Sequence, residues 1–479
     1  MGTETVLRSG CVMLGIVVST ADEASVAIGD QLRAVADWTA HADGHYRTDG
    51  AELVVVDQLH IELETPATLF STPPALVAFA SRHSGETGQL LTAHHTGNIG
   101  PAEYGGDPNT LARAAPAAHA SALAALDEHA PAEYDVGAEC THHGPSTVGA
   151  PSLFVEVGSG PDQWTADAPA RAVARAILSL RGVAADRQAA AQRRTVVGFG
   201  GGHYVPRLER VIRETDWAVG HVAADWALAA VADEALPRVV EAAFTQSQAA
   251  HAVVEGERPA VRRAIDRLGY RVVGETFLRE TTDVSPELVA IAESRIGSVA
   301  AGLRFGAKAA TADDLGTVCR LPSDLLETTR GIDRERTIDV VAAHAIAFDT
   351  DQGGSRPTGL IALPDVATSR SETTAEQPLD GAASADANPV VYDQLITGLL
   401  AVLQERYDSV DRDPRTATAT TTAFDPAKAR TLGVPEGPAF GRLADGEAVE
   451  VNGDRIPPGA VHERRERQFS LVVEPAETG

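Results

Sequence analysis

The sequence has 479 residues, a formal net charge of −27 at pH 7 and 44% hydrophobic residues, enough apolar material for two or three globular domains. It has no run of about 18 or more apolar residues, which excludes a conventional membrane-spanning helix. The short apolar run Val12–Val18 lacks the basic segment and cleavage site of a signal peptide, so we expect a first buried strand and a cytoplasmic protein.

The basic residues are almost all arginine, because Lys308 and Lys428 are the only lysines. An acidic surface with few lysines resembles proteins of salt-loving archaea, in which molar salt screens the repulsion between carboxylates. A disordered acidic chain is the alternative, but periodic apolar segments run through most of the sequence. We therefore expect a halophilic protein, in which local arginines make any contact with nucleic acid.

Short apolar segments alternate with helix-like ones over the first 275 residues. Helices between short buried strands predict a layered α/β domain, with an open, mostly parallel sheet and flanking helices. Ligands bind at the carboxyl ends of the strands in such sheets. The predicted strands are Cys11–Ser19, Leu53–Val56, Leu90–Ala93, Leu153–Val157, Thr195–Phe199 and Ala218–Val222, and the predicted helices are Glu23–Trp38, Ala75–Ala80, Ala117–His129 and Ala168–Leu180.

The chain changes character after residue 275. Thirteen of the fifteen histidines precede this point, and two polar stretches, Ala367–Pro389 and Asp411–Thr422, are typical of linkers. Residues 276–479 also contain an apolar helical stretch, Tyr392–Leu403. We predict a catalytic domain over residues 1–275 and a C-terminal α+β extension over 276–479 with a structural or interaction role.

Several loops of the first region mix Gly, His, Asn and Pro where a structural loop needs only turn formers. Taken singly, each glycine can serve a tight turn, and a lone histidine is more often structural than catalytic. The adjacent His142 and His143 should point in different directions on an extended backbone, so at most one is expected to face a given site. The loops are Ser81–Gly88, expected at the end of a helix, His94–Gly100, Tyr104–Pro108, Glu139–Ser146 and Gly198–Arg207.

Three consecutive glycines, Gly200–Gly202, precede His203 between a predicted strand and the helix-starting Pro206. Residues without side chains bring the backbone close to a ligand, and their N–H groups can face an anion. The segment lacks the Gly-Lys-Ser/Thr of a phosphate-binding loop and does not fit the dinucleotide fingerprint.

Taken in order, the segments SRHSGETG, HTGN, YGGDP, ECTHHGPS, PSLFVEVGS and GFGGGHYVPR resemble the D-aminoacyl-tRNA deacylase family of archaea and plants. The resemblance covers about residues 10–275. It implies hydrolysis of the ester between a D-amino acid and tRNA, zinc as a cofactor, and a fold similar to peptidyl-tRNA hydrolase and phosphorylase-like enzymes. A peptidyl-tRNA hydrolase-like or phosphorylase-like enzyme and a non-catalytic tRNA-binding protein stay as alternatives.

On this reading, an aminoacyl ester needs a positioned water, a base and an oxyanion site. His203 is the first candidate for the base or a metal ligand, and His142 or His143 is the second. A serine nucleophile at Ser84 or Ser146 is less favoured, because neither lies in a GxSxG elbow. The predicted catalytic residues are His203, His142, His143, Asn98, Gly201 and Gly202, and the predicted metal ligands are His83, His142, His203 and Glu139.

Arginines are dense around the glycine triplet, and guanidinium groups pair well with phosphate. The alternative is that they are solvated charges on helix faces. We predict that Arg194, Arg207 and Arg210 grip the tRNA backbone, with Arg187, Arg193 and Arg213 nearby. We further expect a monomer that binds D-aminoacyl-tRNA but neither DNA nor a membrane.

Overall fold

The computed structural model describes residues 13–186, 194–365 and 388–475. The chain divides into two compact units, with the boundary between Thr282 and Asp283. The division predicted after residue 275 falls within a helix of the first unit, Glu275–Glu280. The predicted linker Ala367–Pro389, except for its last two residues, lies outside the described residues, as do Cys11, Arg187 and Arg193.

The first unit contains a large mixed sheet with the strand order β2-β3-β4-β1-β5-β10-β6-β9. Strands β4, β1, β5 and β10 run parallel, and β6 is antiparallel to β10 but parallel to β9. The strands of this unit are β1 (Leu14–Ser19), β2 (Thr39–Ala42), β3 (His45–Thr48), β4 (Ala51–Val56), β5 (Leu76–Arg82), β6 (Leu90–His94), β7 (Gly97–Asn98), β8 (Thr110–Leu111), β9 (Asp135–Ala138), β10 (Ser152–Gly158), β11 (Thr195–Phe199), β12 (Ala218–Ala223), β13 (His251–Val254) and β14 (Arg271–Val272).

The central strands are buried on both faces, as expected for parallel strands covered by helices. The predicted helix Ala75–Ala80 is wrong, because this segment forms β5 between β1 and β10. Burial between two parallel neighbours outweighs the helix preference of its alanines. The segment Ser81–Gly88 therefore begins in a strand, since β5 includes Ser81 and Arg82, and does not lie at the end of a helix.

The last predicted strands do not join the large sheet. Strands β11 and β12 form a second, parallel sheet with β13 and β14, in the order β12-β11-β13-β14. The described part of the first unit thus carries two main sheets, and a two-stranded sheet of β7 and β8, where the sequence predicted one sheet. Both main sheets end in loops that carry histidines.

Helices cover the faces of the sheets, and α4 packs against both α1 and α2. Helix α1 begins with Asp22 as its N-cap, whose side chain accepts a hydrogen bond from Ser25 N. No helix among the described residues is long and apolar enough to cross a membrane. The helices of this unit are α1 (Glu23–Val35), α2 (Pro116–His129), α3 (Pro161–Trp164), α4 (Asp167–Ser179), α5 (Pro206–Glu214), α6 (Asp225–Ala229), α7 (Leu236–Ser247), α8 (Pro259–Arg267) and α9 (Glu275–Glu280).

The second unit is α+β, because its described strand pairs are antiparallel. Its strands are β15 (Arg304–Phe305), β16 (Thr317–Arg320), β17 (Ala347–Asp351), β18 (Arg356–Leu363), β19 (Ser409–Arg412), β20 (Thr416–Phe424), β21 (Val449–Val451), β22 (Asp454–Ile456), β23 (His462–Ser470) and β24 (Glu474–Pro475). Its helices are α10 (Pro286–Arg295), α11 (Ser323–Ile332), α12 (Arg334–His344), α13 (Pro389–Leu403), α14 (Pro426–Thr431) and α15 (Pro438–Ala444).

The predicted linker Asp411–Thr422 is wrong. It contributes to β19 and β20, and β20 is the central strand of a three-stranded sheet. Ala417 and Ala419 point into a core, while the β-branched threonines favour the extended backbone. The polar composition of this segment suggested a linker, although its small apolar residues alternate with threonines as in a strand.

Candidate active site and metal centre

Loops from both main sheets of the first unit bring five imidazoles and two carboxylates together. Five of these residues lie in the loops that follow β5, β9 and β11, and the other two lie on the strands β6 and β10. Three groups of three residues, drawn from these seven and from Cys140, have potential ligand atoms within 4.8 Å of one another. The seven residues are His83, His94, Glu139, His142, His143, Glu156 and His203.

Backbone hydrogen bonds fix the loop after β9 against the loop after β11. Cys140 N donates to His203 O at 2.9 Å, and Glu139 and Tyr204 form an antiparallel bridge. Thr141 N donates to Val222 O of β12 at 2.9 Å. The two histidine loops are therefore held by main-chain bonds that do not depend on the histidine side chains.

Glu139 is the buried centre of one half of the site. Its Oε2 accepts a 2.8 Å hydrogen bond from His203 Nε2, and its Oε1 lies 3.0 Å from His83 Nδ1. Burial alone would raise the pKa of Glu139, but its contacts with His203 and His83 outweigh burial and hold the pKa well below its usual range. Glu139 is thus a carboxylate that orients two imidazoles.

Three other imidazoles are held in one tautomer. The Nδ1 atoms of His94, His142 and His143 lie 3.0, 2.8 and 2.9 Å from the carbonyls of His95, Cys140 and Gly144. A carbonyl oxygen only accepts, so each Nδ1 carries the proton and each Nε2 carries a lone pair. Burial lowers the pKa of all three histidines, to about 4 for His143, so the rings stay neutral at pH 7.

Glu156 of β10 lies beside these lone pairs. Its Oε1 is 3.7 Å from His94 Nε2 and 4.0 Å from His143 Nε2. Neither Glu156 Oε1 nor His94 Nε2 has a hydrogen-bond partner among the described residues, although both are buried. Burial, reinforced by the nearby charge of Glu139, raises the pKa of Glu156 to about 8.

The expectation that at most one of His142 and His143 faces the site is wrong. Both rings turn to the same cluster, with centroids 4.5 Å apart and His94 within 4.8 Å of each. The expectation assumed an extended backbone, whereas this loop is irregular and each ring is anchored by its own bond to a carbonyl.

All four predicted metal ligands lie in the cluster. The structure groups His142 and His203 with Cys140, and His83 and Glu139 with Glu156. Sequence reasoning missed His94, Cys140 and Glu156 as site residues. A single carboxylate inside the apolar strand Leu153–Val157 was the available signal for Glu156, since buried charges need partners.

His83 also has a neighbour that sequence reasoning missed. Tyr204 Oη lies 3.0 Å from His83 Nε2. Burial by itself would lower the pKa of His83, but its contact with Glu139 outweighs burial and the pKa is raised. Tyr204, His83, Glu139 and His203 thus form a continuous chain of polar contacts.

The glycine triplet has the strand-to-helix position predicted for it, and Gly200 and Gly201 have φ of 105° and 86°. A side chain is disfavoured at both positions. Gly200 N donates to Ala223 O, so this amide is not available to an oxyanion. The part of Gly201 and Gly202 in oxyanion binding stays a prediction.

Asn98 and Ser146 brace the neighbouring loop. Asn98 Nδ2 donates to Gly105 O at 2.8 Å and to Asp107 O at 3.2 Å, and Ser146 Oγ accepts from Asp107 N at 2.8 Å. These bonds give both side chains a structural role in holding the segment Tyr104–Pro108. Ser84, the other serine considered as a nucleophile, is exposed.

The prediction that Arg194 binds phosphate is wrong. Arg194 is 7% exposed, is paired with Asp216, and donates to Thr281 O at 2.9 Å. Arg207 and Arg210 are more exposed and share Glu275, with nitrogen–oxygen distances of 3.5 and 3.6 Å. They can still face a ligand, but in competition with this carboxylate.

A second set of buried histidines lies next to the site. The ring of His95 is 4.8 Å from that of His119 and 5.6 Å from that of His221. His119 Nε2 lies 2.9 Å from Ala93 O, and His221 Nδ1 lies 3.0 Å from Thr141 Oγ1. Burial lowers the pKa of His119 and of His221 to about 4, so these rings are uncharged at pH 7 and have a structural role.

Known proteins match the chain along almost its whole length. The family model described as D-aminoacyl-tRNA deacylase matches residues 70–273. The D-aminoacyl-tRNA deacylase of Natronomonas pharaonis is 50% identical, over 96% of this chain and 100% of its own. That of Haloarcula marismortui is 46% identical over the same shares. Matches of this extent include most of the second unit.

The crystal structure of a conserved protein of unknown function is 27% identical, with a TM-score of 0.50. It covers 56% of this chain and 98% of its own. The family match spans every residue of the cluster, from His83 to His203. The chain therefore belongs to the D-aminoacyl-tRNA deacylase family.

Proposed function

We propose that this protein hydrolyses the ester bond of D-aminoacyl-tRNA, releasing the free D-amino acid and tRNA. The observation that carries the mechanism is the buried Glu139 carboxylate between His203 and His83. The aminoacyl ester is a labile bond, so its cleavage needs a positioned water and a base of suitable pKa more than a covalent nucleophile.

His203 is the general base in this proposal. Its side chain is 32% exposed, the largest value among the five imidazoles, so it reaches the substrate side of the cluster. Its Nε2 donates to Glu139, which leaves the lone pair on Nδ1 to take a proton from water. Cys140 Sγ, 3.7 Å from this Nδ1, is a weak neighbour that a water can replace.

Tyr204 and Trp226 complete the substrate side. The Tyr204 hydroxyl contacts His83, and a proton can pass between this pair as charge develops on the ester oxygens. Trp226 is 52% exposed and stacks near His203 with a centroid distance of 6.4 Å. It offers a flat apolar surface for a base or side chain of the substrate beside the proposed general base.

We further propose that the cluster holds zinc. His94, His142 and His143 present lone pairs, their Nδ1 protons are fixed by carbonyls, and Glu156 has an unpartnered oxygen beside them. Neutral imidazoles oriented by a second hydrogen bond, together with one carboxylate, fit a zinc site. Zinc bound there would supply a Lewis acid. His83, His203 and Glu139, which the sequence also suggested as ligands, then serve proton transfer.

Other properties stay predictions. The preference for the D-ester needs a pocket shaped around the α-carbon, and the family supports it without identifying the residues. The likeness of the fold to peptidyl-tRNA hydrolase and phosphorylase-like enzymes, the cytoplasmic location, the monomeric state and the absence of DNA binding are further predictions of this kind.

The test compares matched D- and L-aminoacyl-tRNA with purified protein at high KCl. Loss of the D-ester alone is the expected result, whereas equal loss of both esters, or of neither, contradicts the proposal. His203→Ala should abolish most of the turnover, and because it removes a partner of the buried Glu139 carboxylate its melting temperature should also fall. The His203→Gln variant is a second check, because a loss of turnover without unfolding excludes a purely structural role.

A further inference from the structure

An open groove of about 670 Å³ runs along the outward face of α4. Arg171, Arg175 and Arg181 line it together with His129 of α2, and no carboxylate of the described residues does. The remaining lining comes from Ala34, Val35, Leu178 and Ser179. A groove lined by three arginines stands out in a chain whose net charge is −27.

The groove arginines differ from those around the glycine triplet. Arg194, Arg207, Arg210 and Arg213 all pair with carboxylates. Among the described residues, no such ion pair involves the three groove arginines. Arg171 Nε donates to Gln31 Oε1, and Arg181 donates to the backbone at Leu178 O and Asp49 O. These bonds orient two guanidinium groups and leave their charge unneutralised.

We propose that this groove binds the phosphate backbone of the tRNA, away from the ester. This inference rests on the proposed function, since the tRNA is the substrate. Arg171 and Arg175 lie one helical turn apart on α4, about 6 Å between their Cβ atoms. That spacing suits two neighbouring phosphates, and guanidinium groups bind phosphate oxygens bidentately.

Helix α4, which carries Arg171 and Arg175, begins near the site. Trp164 Nε1 donates to His83 O at 2.9 Å, and α4 begins three residues later, at Asp167. Arg171, the first residue of α4 that lines the groove, lies four residues after Asp167, and Arg181 lies fourteen residues after it, about 6 and 21 Å along the helix direction. Helix α4 therefore leads from the site to the groove. The stem of a tRNA whose charged end lies in the cluster must leave it over a comparable length.

The test compares two double variants. Arg171→Glu with Arg175→Glu reverses the groove, while Arg263→Glu with Arg267→Glu makes the same charge change at the same spacing on exposed positions of α8. We expect the groove variant to raise the KM for D-aminoacyl-tRNA about tenfold with little change in kcat, and to reduce the dependence of binding on salt by about two counterions. The α8 variant should change KM less than about twofold.

Binding of uncharged tRNA, followed by fluorescence anisotropy, and hydrolysis of a D-aminoacyl ester of adenosine separate this inference from the proposed function. The groove variant should lose tRNA affinity and still hydrolyse the small ester. Equal effects of the two double variants, or unchanged tRNA affinity, would overturn the groove assignment even if the deacylase activity holds. A matched loss of small-ester hydrolysis would overturn it as well, because α4 would then act through the catalytic site.

Discussion

Glu156→Gln is the most informative substitution in the cluster. Glu156 is buried, and the pKa of its carboxyl is raised to about 8, so the metal-free protein carries it uncharged at about pH 7. Glutamine has nearly the same shape and cannot ionise. The substitution therefore removes the titration of this residue with little change in packing.

The expected gain in stability follows from linkage. Between its ordinary pKa of 4.5 and the folded value of about 8, the folded protein binds more protons at this residue than the unfolded chain. Its contribution to the free energy of unfolding thus falls as pH rises, by about 1.4 kcal/mol per pH unit. About 2.5 units separate 4.5 from pH 7, so metal-free Glu156→Gln should be about 3 kcal/mol more stable there.

The assay is urea unfolding in high KCl with a chelator, from about pH 4.5 to 8. The stability gain should shrink towards the acid end and nearly vanish at about pH 4.5. With zinc added, the order should reverse, because the glutamine side chain cannot supply the anionic ligand. Glu64→Gln, at an exposed position, is the matched control and should leave both curves unchanged.

Parallel curves for wild type and Glu156→Gln across the pH range would refute the raised pKa. Equal zinc content in the two dialysed proteins, measured by elemental analysis, would remove Glu156 from the proposed metal site. The two results are independent, so the electrostatic argument and the metal argument can fail separately.

Further substitutions test other parts of the molecule. His203→Ala should lower kcat by about 10²- to 10⁴-fold in single-turnover deacylation. His119→Gln keeps a donor for Ala93 O but cannot titrate. Because the pKa of His119 is lowered to about 4, the wild-type protein should lose stability as pH falls from 6.5 towards 4, and the variant should lose less. Charge reversal of Arg207 and Arg210 should raise KM for aminoacyl-tRNA, and unchanged KM counts against that patch. The melting temperature should rise between about 0.1 and 2 M KCl as carboxylate repulsion is screened; a flat profile would contradict halophily.

The sequence predicted those parts of the fold that depend on local pattern. Thr195–Phe199 is a strand with the predicted bounds, and the helix predicted over Ala117–His129 begins one residue earlier. The strand conformation of Ala75–Ala80 could not be predicted from local pattern, because pairing with β1 and β10 decides it. The separation of β11 and β12 into their own sheet is likewise a matter of pairing that no local pattern records.

The same distinction holds for the site, where local composition predicted some residues and not others. His142, His203 and Glu139 occur in loops of unusual composition, and these loops do meet. His94 is the last residue of β6 and the first residue of the unusual loop His94–Gly100, but nothing in the sequence singled it out from the other residues of that loop. Glu156 lies inside β10, where one polar residue among apolar ones looks like an ordinary strand position. The prediction that Arg194 binds phosphate was wrong because a count of local charges says nothing about burial or about the partner Asp216.

The two buried carboxylates give the physical reason to expect a cation in the cluster. Glu139 is held ionised by two imidazoles, and its charge helps to keep Glu156 protonated. This leaves Glu156 Oε1 and His94 Nε2 facing each other at 3.7 Å without a hydrogen bond, which is costly in a buried site. A divalent cation between the imidazole lone pairs would let Glu156 ionise and would satisfy both atoms at once. The same cation would compete with protons for the imidazole lone pairs, so the stability it adds to the first unit should be greatest near neutral pH and should be lost as pH falls.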